Sequence, residues 1–347
     1  MGLIRIFLAL SVMFSHIGPI SWIPVAPAGF AVNCFYVMSG FYITLGLNER
    51  YKTPDTNAEF YMGRVLRLWP VYLFSLFILI PTGVLQAVAH TISQQPLAIQ
   101  VVAVFSNIFM FGSDWLLHVS SADGKVVFSE FGVDKAHTGY QNIINLPAWT
   151  LSIEIMFYMI APFIVRSPKK TVAFFIAAAL YTLAAKMLFS ASIINLRTDL
   201  YFPGPALYFA LGAAGYWINK LSPTITKKST FTYIIVFATV ALCTIHTKQE
   251  ALILFALATL APFLFAKTKG SKIDKWFGDL SYPLYITHIP ITIVVRWLGY
   301  FEATPYTYFA SIIVGTLIAV YAVELPVERF RKYLRSRQPI QLSAMAT

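Results

Sequence analysis

The sequence predicts an all-α, polytopic membrane protein, and three observations support this fold class. Hydrophobic residues make up 58% of the chain and charged residues only 12%, about half the charged fraction of an ordinary soluble domain. Apolar runs about as long as a membrane-spanning helix recur along the whole chain. Many tyrosines and tryptophans stand at the ends of these runs, where interfacial side chains are expected.

The charge and cysteine content narrow the choice of partners. The net charge of +11 does not indicate nucleic acid, because basic residues alternate with apolar runs and form no continuous patch. Cys34 and Cys243 both fall inside predicted spans, so neither a disulfide framework nor a thiolate metal site is expected. The histidines show no metal-ligand spacing. We therefore expect the lipid bilayer as a partner, and neither nucleic acid nor a metal ion.

The apolar runs divide the chain into about ten predicted spans with both termini cytoplasmic. In this topology most of the 26 lysines and arginines fall in cytoplasmic segments, as the positive-inside rule requires. An eleventh run at 99–111 is short and is predicted to be re-entrant or interfacial. The predicted spans are 3–20, 27–47, 68–90, 147–165, 170–189, 201–218, 231–246, 249–266, 281–299 and 305–325. Residues 1–335 would form one domain in the cytoplasmic (inner) membrane, followed by a short disordered tail at 336–347.

The first span carries two ionisable residues, Arg5 and His16, eleven positions apart. Eleven steps of about 100° make three turns plus about 20°, so both side chains lie on one helix face. Ala9 and Val12 lie between them on that face and leave a groove of small side chains. His16 lies ~16 Å further along the axis than Arg5, about half of a hydrocarbon core. Ionisable groups at such depth are costly and indicate a functional site.

The second span contains the small residues Ser39 and Gly40, which typically allow close helix packing, and packing is the simpler interpretation of both. Asn33 lies one to two turns nearer the outside. It is a candidate for a hydrogen bond to another helix or to a polar substrate, and the sequence does not separate the two.

Arg64 and Arg67 precede the third span and share one helix face if the helix begins there. Together with Arg5 they would place three arginines at the cytoplasmic face. Arginine binds phosphate groups bidentately and stays charged, so such a cluster suits a polyanion. The alternative is that all three are positive-inside anchors.

The fourth span begins near Trp149, a substrate or packing candidate, and carries Glu154 ~10 Å below its outer start. That depth is comparable with the depth of His16. A buried carboxylate near a histidine can fix the tautomer of the ring and support its positive form. The alternative is a structural glutamate paired with another helix, for example with Lys186.

The ninth span begins with Asp279 or Ser281 as a plausible N-cap. Tyr282, Tyr285 and His288 follow in the inner half, where they could line a path for a donor molecule. The alternative is two interfacial aromatics and one hydrogen-bonded core histidine.

Taken together, these segments resemble the acyltransferase 3 family of integral membrane acyltransferases, over essentially the whole chain. The matching motifs, in chain order, are Arg5-x10-His16, Phe35-x-x-x-Ser-Gly-Phe41, Arg64-x-x-Arg67, Trp149-x-Leu-Ser-x-Glu154 and Ser281-Tyr-Pro-Leu-Tyr-x-x-His288. The resemblance implies ten or so helices, acyl-CoA (usually acetyl-CoA) as the donor co-substrate, and O-acetyl transfer to a hydroxyl of a surface carbohydrate.

On this basis we expect His16 to be the general base, or a nucleophile that carries the acyl group, with Glu154 orienting it. The residues expected to bind the donor are Arg5, Arg64, Arg67, Tyr282, Tyr285 and His288. The acceptor would be an extracytoplasmic or lipid-linked carbohydrate. The alternative function is a polytopic exporter or flippase of a lipid-linked saccharide, although the inverted repeats and paired broken helices common in carriers are not apparent.

Overall fold

The computed structural model describes residues 1–20, 23–129, 139–190, 200–221, 250–300 and 304–336, and in these ranges the chain is almost entirely helical. The helices are α1 Gly2–Ile17, α2 Ala28–Glu49, α3 Asn57–Phe77, α4 Val84–Ser93, α5 Leu97–Phe109, α6 Ala148–Ile164, α7 Pro168–Ser190, α8 Ala206–Leu221, α9 Glu250–Thr268, α10 Lys272–Trp297, α11 Pro305–Ala319 and α12 Leu325–Ser336. A π-helical segment, Val320–Glu324, joins α11 to α12, and short 3-10 turns occur at Pro54–Thr56, Ile80–Thr82, Trp115–Leu117 and Gly139–Asn142.

Four helical stretches in the described ranges are long and apolar enough to cross a membrane: Ala28–Glu49, Pro54–Thr82, Glu250–Thr268 and Pro305–Tyr333. Helices α1, α4, α5 and α6 are apolar but shorter. The number of about ten spans and the cytoplasmic position of both termini stay predictions, as does the single domain. The predicted span 231–246, the tail after Ser336 and the side chain of Lys186 lie outside the described residues.

The third span differs from the prediction of one helix over 68–90. Helix α3 ends at Phe77, and α4 starts after a turn that contains Pro81 and Gly83. Proline has no N–H to donate, and Gly83 has a φ of 77°, a left-handed conformation that favours glycine. The apolar run therefore forms two helices.

The beginning of α3 also corrects the expected position of its arginines. The helix begins at Asn57, so Arg64 and Arg67 lie within it and not ahead of it. Pro70 consequently lies in the helix interior.

Helix α10 is longer than the predicted span 281–299. It begins at Lys272, where the Ser271 side chain accepts a hydrogen bond from the Asp274 backbone N–H at 3.2 Å. The predicted N-cap at Asp279 or Ser281 is therefore wrong. The tyrosines and the histidine of this span lie in the middle of a long helix, not near its start.

The structure contains a small β-hairpin, which the all-α prediction did not include. Strand β1, Val119–Ala122, pairs antiparallel with strand β2, Lys125–Phe128. Asp123 and Gly124 connect them with φ values of 50° and 72°, as a two-residue type I′ turn requires. The hairpin lies in the connection between α5 and α6.

Glycines bring α2 and α8 into close contact. A Cβ atom at Gly40 would lie 2.1 Å from the carbonyl oxygen of Phe209, and one at Gly212 would lie 1.9 Å from that of Val37. The two backbones thus touch where side chains would hold them apart. This contact matches the packing interpretation of Gly40.

Helices α1 and α10 pack side by side in the same direction. Near their beginnings, the Leu3 backbone N–H donates to Asp274 Oδ1 at 3.1 Å. Near the end of α1, the rings of His16 and His288 lie 5.2 Å apart between centroids. The face of α1 that carries Arg5 and His16 therefore runs along the motif of α10.

Candidate active site

A cavity of about 470 Å³ lies among α1, α2, α3, α6, α9 and α10. Most of the residues that the sequence singled out line this cavity: Arg5, Ser39, Arg64, Arg67, Glu154, Tyr282 and Tyr285. His16, Asn33, Trp149 and His288 are not on its wall. Motifs that are far apart in the chain therefore meet at one site.

One part of the wall is strongly basic. Its cations, which we call the arginine end, are Arg5, Arg64, Arg67, Lys269 and Lys275. Asp279 lies within electrostatic range of Arg5, Arg67 and Lys275, which places these groups together. The carboxylates on the cavity wall are Glu154, Asp274 and Asp279, so positive charge is in excess.

The three arginines are half-buried and accessible to a ligand. Across the described ranges, no hydrogen bond joins their guanidinium groups to another residue. The guanidinium of Arg64 lies 5.7 Å from the ring centroid of Phe60 and 5.8 Å from that of Tyr158, a cation–π arrangement. Guanidinium groups with free donors can bind an anionic group bidentately.

Glu154 lines the cavity on α6. Its Oε1 accepts hydrogen bonds from the Ser39 hydroxyl and from the Tyr158 hydroxyl. Ser39 is therefore a donor to Glu154, whereas its neighbour Gly40 packs against α8. The structure does not bring Glu154 to His16, so its expected orienting role has no contact in support.

Further along α10 the wall becomes aromatic. The hydroxyls of Tyr285 and Thr150 are 2.8 Å apart, and the ring of Phe35 packs edge-on against Tyr285 at 5.9 Å. The Tyr282 hydroxyl donates to the Leu68 carbonyl oxygen of α3. These bonds fix both tyrosines of the motif in the wall.

Behind Tyr285 lies a pair of histidines; we call Tyr285, His288 and His16 the histidine end. His288 is fully buried, and its Nδ1 lies 2.7 Å from the Tyr285 carbonyl oxygen. The ring of His16 is tilted by 36° against the ring of His288. His288 is therefore not on the cavity wall, but its ring packs edge-on against that of Tyr285, which is, with centroids 6.1 Å apart.

The end of α1 corrects the expected surroundings of His16. The helix ends at Ile17 because Gly18 adopts a φ of 93° and Pro19 follows. His16 consequently lies in the last turn of a 16-residue helix and is exposed. It is not enclosed by the helix continuing to residue 20.

Two predicted site candidates, Trp149 and Asn33, lie away from the cavity wall. Trp149 is half-buried in the first turn of α6 and packs between two apolar clusters. Asn33 is half-buried on α2, away from the cavity wall. Packing is the simpler interpretation for Trp149, and Asn33 keeps both of its alternatives.

Ser152, from the same motif as Glu154, holds the connection between α5 and α6. Its hydroxyl donates to Asp114 Oδ1 at 2.6 Å and accepts from the Gly112 backbone N–H at 2.7 Å. Burial raises the pKa of the Asp114 carboxyl, while the hydrogen bonds from Ser152 and the Phe202 backbone act to lower it. The motif thus contributes Glu154 to the cavity wall and uses Ser152 to hold the adjoining loop.

Several polar residues of the wall were not predicted as site residues, among them Lys269, Lys275, Tyr158 and Thr150. Lys269 and Lys275 were counted only as positive-inside charges. Tyr158 follows Glu154 by four positions, and this spacing on one helix face was the signal that could have identified it. Thr150 had no such signal, because its partner Tyr285 lies on a distant helix.

Comparison with known protein families agrees with this assembly. A family model described as an acyltransferase domain matches residues 1–324, which include every residue of the cavity wall and both histidines. No curated protein and no solved structure matches the chain. The apolar helices and the extent of the family match lead to one conclusion: the chain belongs to the acyltransferase 3 family and is a multi-pass membrane acyltransferase.

Proposed function

We propose that this protein transfers an acetyl or another short acyl group from cytosolic acyl-CoA to a hydroxyl of an extracytoplasmic or lipid-linked carbohydrate. The observation that carries the proposal is the arginine end of the cavity. CoA is a polyanion with several phosphate groups, and half-buried arginines with free donors suit such groups.

The donor would lie along α1 and α10. With its phosphates at the arginine end, the extended pantetheine arm points along the cavity toward Tyr285. The ~16 Å rise from Arg5 to His16 along the helix axis is a distance that such an arm can span. Lys269 and Lys275 would add positive charge near the phosphates.

The acyl transfer needs a base for the acceptor hydroxyl. Neutral His16 takes the hydroxyl proton while the oxygen attacks the thioester carbonyl carbon. The carbon–sulfur bond then breaks, and the leaving thiolate takes the proton from the His16 imidazolium as free CoA. If His16 itself attacks the thioester carbonyl carbon first, the carbon–sulfur bond breaks, CoA leaves as the thiolate and an acyl-histidine forms. The acceptor oxygen then attacks the acyl carbon, the carbon–nitrogen bond breaks, and the released imidazole takes the hydroxyl proton.

The exposed position of His16 supports access for the acceptor. A hydroxyl can approach His16 without entering the cavity that would hold the donor. The two substrates would then meet from different sides, as a transfer from a cytosolic donor to an extracytoplasmic acceptor requires. A location in the cytoplasmic membrane follows from the proposed donor.

The test is release of free thiol from acetyl-CoA by membranes that contain the protein, with extracted surface polysaccharide as acceptor. The proposal expects release that needs both the polysaccharide and His16. His90→Ala is the matched control, because His90 is exposed on α4 and does not line the cavity. Unchanged turnover in His16→Ala would contradict the mechanism. Absence of thiol release by folded wild-type protein would contradict acetyl-CoA as donor.

A further inference from the structure

His288 has an unexplained nitrogen. The residue is fully buried, and its Nε2 has no hydrogen-bond partner among the residues that the structure describes. A buried acceptor without a partner is unfavourable and calls for an explanation. Binding of the acyl-CoA donor, the role first expected for His288, does not supply an explanation, because its side chain is not on the cavity wall.

The hydrogen bond of the other ring nitrogen of His288, Nδ1, defines which tautomer of the ring is present. A carbonyl oxygen can only accept, so His288 Nδ1 carries the hydrogen and donates it to the Tyr285 carbonyl at 2.7 Å. In the neutral ring Nε2 is then an acceptor. The backbone of α10 therefore holds His288 with a lone pair available on its second nitrogen.

The neighbour of this ring is His16. Their centroids are 5.2 Å apart. An in-line N–H···N bond of about 2.9 Å, with about 1.1 Å from each nitrogen to its ring centre, gives a centroid separation of about 5 Å. His16 is exposed in a last helical turn, so its ring has room to rotate into line. Such bonds often shorten only when substrates are bound.

We propose that His288 is a positioning residue for His16, with His288 Nε2 accepting the N–H of His16. This bond fixes the tautomer of His16 so that its other nitrogen presents a lone pair to the acceptor hydroxyl. It also stabilises the imidazolium that His16 becomes, while the shared hydrogen stays on His16. The inference rests on the proposed function and assigns to His288 the role expected of Glu154.

Two substitutions separate this role from simple packing. In His288→Asn the amide N–H can still donate to the Tyr285 carbonyl, but nothing occupies the position of Nε2. In His288→Gln the longer side chain can place an oxygen acceptor near that position. Both are tested in the full-length, membrane-embedded protein by acceptor-dependent thiol release.

We expect His288→Asn to lower kcat about 10- to 100-fold, the usual range for partners that orient a functional histidine. The KM for acetyl-CoA should stay within about twofold of wild type, because the arginine end is intact, and His288→Gln should recover most of kcat. The double variant His16→Ala/His288→Asn should be no less active than His16→Ala alone, since the second residue acts through the first.

Other outcomes overturn the inference. They are wild-type kcat in His288→Asn, a change in KM alone, or equal losses in the Asn and Gln variants when both are folded. If either variant fails to fold, 15N spectra of histidine-labelled wild type and His16→Ala provide the test. The proposal expects the His288 Nε2 resonance to shift when His16 is removed, and an unchanged resonance contradicts it. Full turnover in His16→Ala would instead overturn the proposed function.

Discussion

The arginine end and the histidine end of the site hold their ionisable groups differently. At the arginine end, the guanidinium groups of Arg5, Arg64 and Arg67 line an open cavity, and no hydrogen bond to the rest of the described chain holds them. At the histidine end, His288 is fully buried and bonded to the backbone of its own helix. The arginines have their donors free for a ligand, whereas His288 is fixed by the fold and His16 beside it is exposed.

From this difference we expect donor binding and chemistry to be separated along α1 and α10. A cluster in which cations outnumber the neighbouring carboxylates favours an anionic ligand. A base must be held in one orientation for the reaction, and in our proposal the buried His288 supplies that orientation for His16. Substitutions at the two ends should therefore change different quantities.

The largest effect is expected at the histidine end. His16→Ala should lower kcat by about 10²–10⁴-fold, the usual contribution of a positioned base. Calorimetric titration with CoA should give a Kd close to that of wild type, since His16 is far from the arginines. A variant that also lost CoA binding would show that the two ends are not separate.

The wall that joins the two ends is expected to be rigid, and neighbouring residues of α2 test this. Gly40→Ala would place a Cβ atom 2.1 Å from the Phe209 carbonyl oxygen, so α2 and α8 must move apart. We expect a loss of about 1–3 kcal/mol in the free energy of unfolding, measured by thermal denaturation in detergent.

Gly46→Ala is the control for that variant, because nothing lies within 4 Å of the added Cβ atom. It should be neutral or stabilising by up to about 1 kcal/mol, since alanine is the better helix former. Equal stability of the two variants would contradict the close contact of α2 and α8.

At the arginine end the effect should fall on binding. Arg67→Ala should weaken the Kd for CoA about tenfold, which corresponds to about 1.4 kcal/mol, with kcat at saturating donor nearly unchanged. Arg50→Ala is the matched control, because Arg50 is exposed at the end of α2 and away from the cavity wall. Equal effects of the two substitutions would favour the anchor interpretation of the arginines.

The smallest effect is expected for Lys269 and Lys275. These two lysines are exposed, whereas the arginines are half-buried. Exposed charges contribute about 0.2–1 kcal/mol each, so Lys275→Ala should weaken CoA binding only a few-fold. The loss should shrink as salt is raised, because exposed charges are screened. Titrations at two ionic strengths, with Lys170→Ala as control, measure this, and a salt-independent loss would contradict it.

The sequence alone was sufficient for features that depend on local pattern. The spacing of Arg5 and His16 placed both on one helix face, and the structure puts that face along α10. The predicted span at 147–165 agrees with α6, because its apolar run is bounded by a proline and a basic segment.

Features that depend on other helices could not be predicted. Arg64 and Arg67 interrupt the apolar run of α3, but they line an internal cavity, so the helix continues through them. The partners of Glu154 lie on α2 and one turn along α6, and only the second had a local signal. The contact between His16 and His288 joins residues at opposite ends of the chain, and no local periodicity indicates it.

The most direct test of the separation between the two ends is an experimental structure of His16→Ala with acetyl-CoA bound. The account predicts CoA phosphates within hydrogen-bonding distance of Arg5, Arg64 or Arg67, and the thioester beyond Tyr285, beside the vacated His16 position and His288. Phosphates bound elsewhere, or a thioester that stops at Glu154, would contradict the account.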